Sequence, residues 1–351
     1  MKNNSLCVLL VLLTIFSTNA QEKPTAENTG PKGNLTEYTG ETNITTEGTV
    51  LENFIINGSI NVRANNVTIK NCLIITDGTY GIRATYDFES LLIEDCEIRG
   101  MQSAGIIGDN FIARRCNIWD SGADALKPFN NFIIEDCYIH DLGYIETSHA
   151  DGLQMVGGSN GIIRRNNFDM PHDNPTYKNS QCIIMLTNIA PIDNILLEEN
   201  WINGGGFSVH VRDKNTGFGI PTNVSLINNF FGRNHEFGTH FLDEGVVFSC
   251  NRWEDTNELI GECNSLSVED FSVASIAMYP NPASEQFTID LHEAQKGVLN
   301  IYTVTGKKVA STNTEGQSII NFTAESFVAG MYLVVFKGEK IQLQSKMMIT
   351  K

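Results

Sequence analysis

The sequence predicts an all-β protein: a right-handed parallel β-helix followed by a small antiparallel β-sandwich. Three observations predict it. An eight-residue pattern recurs eight times, with start-to-start spacings of 24, 20, 21, 29, 34, 29 and 22 residues. The sixth position of each copy forms a column: Cys72, Cys96, Cys116, Cys137, Asn166, Asn200, Asn229 and Asn251. Beyond residue 277 the pattern changes to alternating segments separated by turn residues, as in short antiparallel strands.

In chain order, residues 1–20 read as a signal peptide, with Lys2, the apolar run Leu6–Phe16 and a Thr18-Asn19-Ala20 cleavage site. That run is too short to span a membrane, and no later stretch is long enough. Residues 21–50, rich in Thr, Asn, Gly and Glu, read as a lead-in or N-terminal cap. The repeat domain is expected over 51–265. Its copies run VTIKNCLI (67–74), LLIEDCEI (91–98), FIARRCNI (111–118), FIIEDCYI (132–139), GIIRRNNF (161–168), ILLEENWI (195–202), VSLINNFF (224–231) and VVFSCNRW (246–253), with FIINGSINV (54–62) as a degenerate first copy.

Each copy is short, β-branched and alternating, so it reads as a strand, and a period of this size means stacked units. Equivalent positions on successive coils lie about 4.8 Å apart. The cysteine column therefore predicts buried, reduced thiols, and the asparagine column a hydrogen-bonded ladder. Cys250 and Cys263 are left as a candidate disulfide. A second strand per coil aligns as Gly81-Ile82-Arg83, Gly105-Ile106-Ile107, Ala125-Leu126-Lys127, Gly152-Leu153-Gln154, Cys182-Ile183-Ile184 and Ser208-Val209-His210. Alternation points the middle residues inward and Arg83, Ile107, Lys127, Gln154, Ile184 and His210 outward, with Arg212 two residues further on the same face. The coil should be right-handed, as parallel crossovers are.

Residues 266–277 read as a polar linker. The tail, 278–351, carries a YPNPA start, a Thr305-Gly306-Lys307 turn, a Gly330-Met331-Tyr332 strand and basic last residues. By pattern alone it also fits a carbohydrate-binding sandwich. These motifs resemble the C-terminal sorting domain of the type IX secretion system of Bacteroidetes. That resemblance implies translocation across the outer membrane, with release or surface attachment.

The formal net charge of -17 and pI near 4.8 exclude a nucleic-acid partner, which needs a Lys/Arg surface. Chemistry-bearing residues concentrate where three consecutive coils are lengthened by insertions, and loops on one side of a solenoid commonly form its binding face. Lys127, Gln154, His210 and Arg212 stand in the outward columns there. His149 and Asp151 lie just before the Gln154 strand, and Asp124 matches Asp151 one coil earlier. The second insertion adds His172, Tyr177 and Lys178. Against this stand plain structural roles: an outward Lys is usually solvated and replaceable at little cost in stability, and Asp124 and Asp151 can cap turns.

Cations and carboxylates in a cleft suit an acidic polysaccharide. Cleavage by β-elimination needs a group that neutralises the uronate carboxylate, a base for the C5 proton and an acid for the leaving oxygen. Arg212, or a cation such as Ca2+ held by Asp124 and Asp151, can neutralise. Lys127 or His149 can be the base, and His210 or Tyr177 the acid. Gln154, Arg83, His172 and Lys178 are candidate substrate contacts. The negative net charge is screened beyond about 8 Å at physiological ionic strength, so local cations decide.

The coil repeats, the Lys127 strand and His149-Ala150-Asp151-Gly152 resemble the pectate-lyase-like superfamily, over about residues 50–265. That superfamily includes alginate and other uronan lyases and mannuronan C5-epimerases. The adjacent-Asp pair of the polygalacturonases is missing, which lowers the hydrolase reading. The expectation is a secreted or surface-attached, monomeric lyase acting on an acidic polysaccharide such as alginate, with the type IX machinery as its other partner. The alternatives are a C5-epimerase or a glycoside hydrolase using Asp124 and Asp151, or a non-catalytic glycan-binding surface protein.

Overall fold

The computed structural model describes residues 22–85, 88–177, 179–263, 276–303, 307–338 and 342–350. The expected signal peptide, most of the expected linker and Lys178 lie outside the described residues. Two compact units are present, 1–264 and 265–351.

The first unit is a parallel β-helix. Among the described residues its strands form three sheets of ten, nine and nine strands, each strand paired with its equivalents one coil away. One coil runs through Phe111–Arg114, Asn117–Trp119 and Asp124–Pro128. These pair in parallel with Leu91–Glu94, Glu97–Arg99 and Ala104–Gly108 of the coil before. Each eight-residue copy is thus two strands meeting at a corner, where the sequence pattern predicts one. The fifth position of every copy turns the chain with a positive φ of 50–57°: Asn71, Asp95, Arg115, Asp136, Arg165, Glu199, Asn228 and Cys250. Asn and Asp tolerate this left-handed conformation best. Arg115 and Arg165 are held in it by two-pronged pairing with Asp95 and Asp136 of the preceding coil, at 2.7 to 3.0 Å.

The sixth position follows that corner and points inward. Cys72, Cys96, Cys116 and Cys137 are fully buried free thiols, and Cys182 is a fifth. The column then becomes a ladder of asparagines. Asn166, Asn200 and Asn229 each donate backbone and side-chain N–H to the next Asn Oδ1, at 2.9–3.0 Å. Each asparagine Nδ2 also reaches a main-chain carbonyl, so these buried amides are satisfied. Cys250 and Cys263 form a disulfide.

Sheet order extends the helix toward the N-terminus. Val50–Glu52 already pairs with Val67–Lys70, and Thr36–Glu37 with Phe54 and Ile55. The first coil therefore starts before residue 51, inside the stretch read as a lead-in. Upstream of it the chain lies against the coils, with Gly30 N–H donating to Arg115 O and Asn167 Nδ2 to Pro24 O.

The second unit is a five-stranded antiparallel sheet built on the long strands Gln286–Thr303 and Lys308–Thr323. It has its own apolar core, including Phe287, Ile289, Leu299, Val334 and Phe336.

Candidate active site

The nine-stranded sheet holding Tyr80–Ala84, Ala104–Gly108, Asp124–Pro128, Ala150–Met155, Asn179–Thr187, Phe207–Asp213 and Gly238–Leu242 carries the expected outward column. Register pairs Arg83 with Ile107 and Ile107 with Lys127. Leu126 pairs with Leu153, which sets Gln154 on the next coil, and Gln154 pairs with Ile184 and Ile184 with His210.

Two buried carboxylates organise its centre. Asp124 (1% exposed) and Asp151 (0%) hold equivalent positions on strands of adjacent coils. Asp124 accepts from the Lys127 ammonium at 2.8 Å through Oδ2 and from the Asp151 backbone N–H at 2.8 Å through Oδ1. Asp151 accepts from Gln181 N–H at 3.0 Å through Oδ1, and from His149 Nδ1 and Gln154 Nε2, both at 3.1 Å, through Oδ2. Lys127 Nζ also donates to Ser103 Oγ at 3.3 Å. The chain Lys127–Asp124–Asp151–His149 thus links an ammonium and an imidazole through two carboxylates. All four carboxylate oxygens accept hydrogen bonds. Among the described residues no cluster of three or more His, Cys, Asp and Glu is placed to hold a metal.

The electrostatics follow from burial. Burial, with Asp151 beside it, pushes Asp124 up to about 6 against the pull of Lys127. The hydrogen bond to Asp151 raises His149, whose side chain is 62% exposed. Because a carboxylate only accepts, it fixes the imidazole proton on Nδ1 and leaves Nε2 as the basic nitrogen facing outward. Lys127, 23% exposed, is not a freely solvated lysine. Its removal would leave a buried carboxylate without its cation, which argues against trimming it cheaply.

The other candidates sit further away. His210 and Arg212 lie three coils beyond Lys127, about 14 Å along the axis. Burial, and then the Arg212 charge, lower His210. Arg212 is committed to Asp243 at 2.9 Å and stacks 4.1 Å over the Phe241 ring. Arg83 is two coils to the other side, with Nε donating to Thr85 Oγ1 at 2.9 Å. Tyr177 and His172 line a cleft that also includes Ser148 and Gln181, and His172 lies 3.5 Å from Glu236. Burial, then Asp120 and Asp141, raise Tyr177 and keep its phenol protonated. Sequence reading missed Ser103, Gln181 and Asp243. The one available signal was for Gln181, which precedes Cys182-Ile183-Ile184 as Asp151 precedes Gly152-Leu153-Gln154.

Residues 277–350 match the secretion system C-terminal sorting domain. The tail is that sorting domain. It marks the protein for secretion and cell-surface attachment. No described helix is long and apolar enough to cross a membrane. Two curated relatives are similar over shorter stretches. An endo-acting ulvan lyase of Formosa agariphila is 32% identical over 89 residues, 25% of this chain and 17% of that protein. An ulvan lyase of Nonlabens ulvanivorans is 30% identical over 111 residues, 31% of this chain and 21% of that protein. The chain thus spans about a fifth of the length of these relatives, and neither match is long enough to cover the β-helix.

Proposed function

We propose that the protein is a polysaccharide lyase that cleaves a uronate-containing polysaccharide by β-elimination on the face of this sheet. The observation that carries the reading is the pair of buried carboxylates holding Lys127 and His149 on adjacent coils of an open surface. In this reading His149 Nε2 takes the C5 proton. The C–H electrons form the C4–C5 double bond, the C4–O4 bond breaks, and the leaving oxygen takes a proton from Tyr177. Lys127, paired with Asp124, neutralises the carboxylate and the enolate that develops from it. Arg212 and Arg83 serve sugars further along the chain. Both similar proteins being named ulvan lyases supports an acidic polysaccharide as the substrate class. A hydrolase using Asp124 and Asp151 fits less well, since both carboxylates are buried and already hydrogen-bonded.

The test is purified protein against alginate, ulvan and other uronans, followed at the absorbance of the unsaturated product. Signal that disappears in His149→Ala supports the reading. New reducing ends without that absorbance select hydrolysis and refute it. Lys127→Arg, which keeps the charge but cannot act as a base, should retain part of the turnover that Lys127→Ala loses.

A further inference from the structure

A cleft of about 380 Å³ opens beside the His149–Asp151 pair, at the small end of the roughly 300–1,000 Å³ range of ligand sites. Its lining includes Ser148, His172, Tyr177, Gln181, Gly206 and Phe237. Phe237 is 65% exposed, the most exposed large apolar side chain described in the β-helix unit. It is nonetheless held firmly. Its N–H donates to Gly206 O at 2.8 Å, Glu236 N–H donates to Gly205 O at 3.0 Å, and its ring packs on Phe207 with centroids 5.6 Å apart. A large apolar ring fixed in place yet left open to water marks a contact surface.

The floor explains the run Gly204-Gly205-Gly206. Gly204 and Gly205 have φ of +116° and +72°, and a Cβ on Gly204 would overlap the Met170 carbonyl. Gly206 keeps the floor flat between Phe237 and Gln181. Gln181 is fixed from two sides: its N–H donates to Asp151 Oδ1, and its Oε1 accepts from Phe207 N–H at 2.9 Å. Its Nε2 lies beside Gly206. The same glutamine therefore ties the cleft to the carboxylate that orients His149. One open aromatic face and a few convergent polar groups match the two surfaces of a sugar ring, a C–H face and a rim of hydroxyls.

We propose that this cleft is a subsite for one pyranose ring of the polysaccharide, stacked on Phe237 with its hydroxyls at Gln181 and the His172–Glu236 pair. The inference rests on the proposed function and adds a sugar-binding element next to the bond that is cleaved. Covering half of an exposed Phe ring removes roughly 50 Å² of apolar surface from water, so losing it should weaken binding about tenfold.

The experiment is affinity electrophoresis in native gels containing alginate or ulvan, in a His149→Ala background so that the polymer stays intact. Phe237→Ala should weaken retardation about tenfold and Phe237→Trp should preserve it. Because stacking is not ionic, the Phe237→Ala difference should persist at high salt. Gly206→Ala places a methyl 3.4 Å from the Phe237 ring and 3.5 Å from Gln181 Nε2, ordinary contacts that fill the cleft without unfolding it, and should also weaken binding. Ile189→Ala, an exposed side chain elsewhere in this unit, should change nothing. If Phe237→Ala and Gly206→Ala are retarded as strongly as the parent, the subsite is refuted while the lyase reading stands. If neither polymer retards the parent and the unsubstituted protein cleaves none, both fall.

Discussion

Replacing Lys127 by Ala should destabilise the protein in a pH-dependent way. Asp124 is a buried carboxyl whose folded pKa of about 6 lies above its unfolded value of about 3.9. The folded state therefore holds the proton more tightly. Burial of Asp124 costs stability at neutral pH, and that cost fades as pH falls through 6 toward 4. At pH 7.5 the cost with Lys127 present is about 3 kcal/mol. Without Lys127 it rises until Asp124 simply takes up a proton, which caps it at about 5 kcal/mol. The electrostatic loss in Lys127→Ala is thus at most about 2 kcal/mol at pH 7.5. At pH 5 the two costs converge and the loss vanishes. Urea unfolding of the two proteins at pH 7.5 and pH 5 reads this directly. Lys127→Ala/Asp124→Asn keeps a carbonyl for the Asp151 N–H and removes the stranded charge, so it should recover stability at pH 7.5 without recovering turnover. If Lys127→Ala matches the parent at pH 7.5, the ion pair does not hold Asp124 and the argument for the centre fails.

His149→Ala should lose at least about a hundredfold in turnover while melting at the parent temperature, since the side chain is mostly in water. The basic form of His149 is the neutral one, so kcat/KM should fall as pH drops through its raised pKa. Asp151→Asn removes the charge that raises it, and should move that acid limb to lower pH. An unmoved limb would mean that another group is the base. Thiol labelling of denatured, unreduced mature protein should capture Cys72, Cys96, Cys116, Cys137 and Cys182 and spare Cys250 and Cys263; disulfides within the column would reject the stacked register. Asn200→Ala breaks the ladder at a fully buried position, leaves the Asn166 N–H groups without their acceptor and should cost about 3 kcal/mol in urea unfolding. A loss below about 1 kcal/mol would show that the ladder is dispensable.

Much of the fold was legible because stacking repeats one local rule. The sixth-position column, the inward aliphatics and the outward Arg83–Ile107–Lys127 and Gln154–Ile184–His210 columns all follow from period and alternation, and register places each as expected. The corner at the fifth position was not legible. Residues as different as Asn71, Arg115, Glu199 and Cys250 all adopt it, and what steadies Arg115 and Arg165 there is a partner one coil away. The ion pairs linking Glu94, Arg114, Glu135 and Arg164 across successive coils escaped notice for the same reason.

The sequence by itself determined the β-helix, its coil register and the sorting tail, since each rests on periodicity or a contiguous motif. Only the tertiary structure decided what the candidate groups do to one another. Asp124 and Asp151 could have been turn caps or metal ligands. Burial together with Lys127, His149, Gln154 and Gln181 makes them hydrogen-bond acceptors for side chains and backbone on neighbouring coils. His172 and Glu236, 64 residues apart, and Phe237 on its glycine floor come together through loops that no repeat governs. Hydrogen-bond satisfaction and burial depend on contacts between coils, and these exist only once the chain is wound.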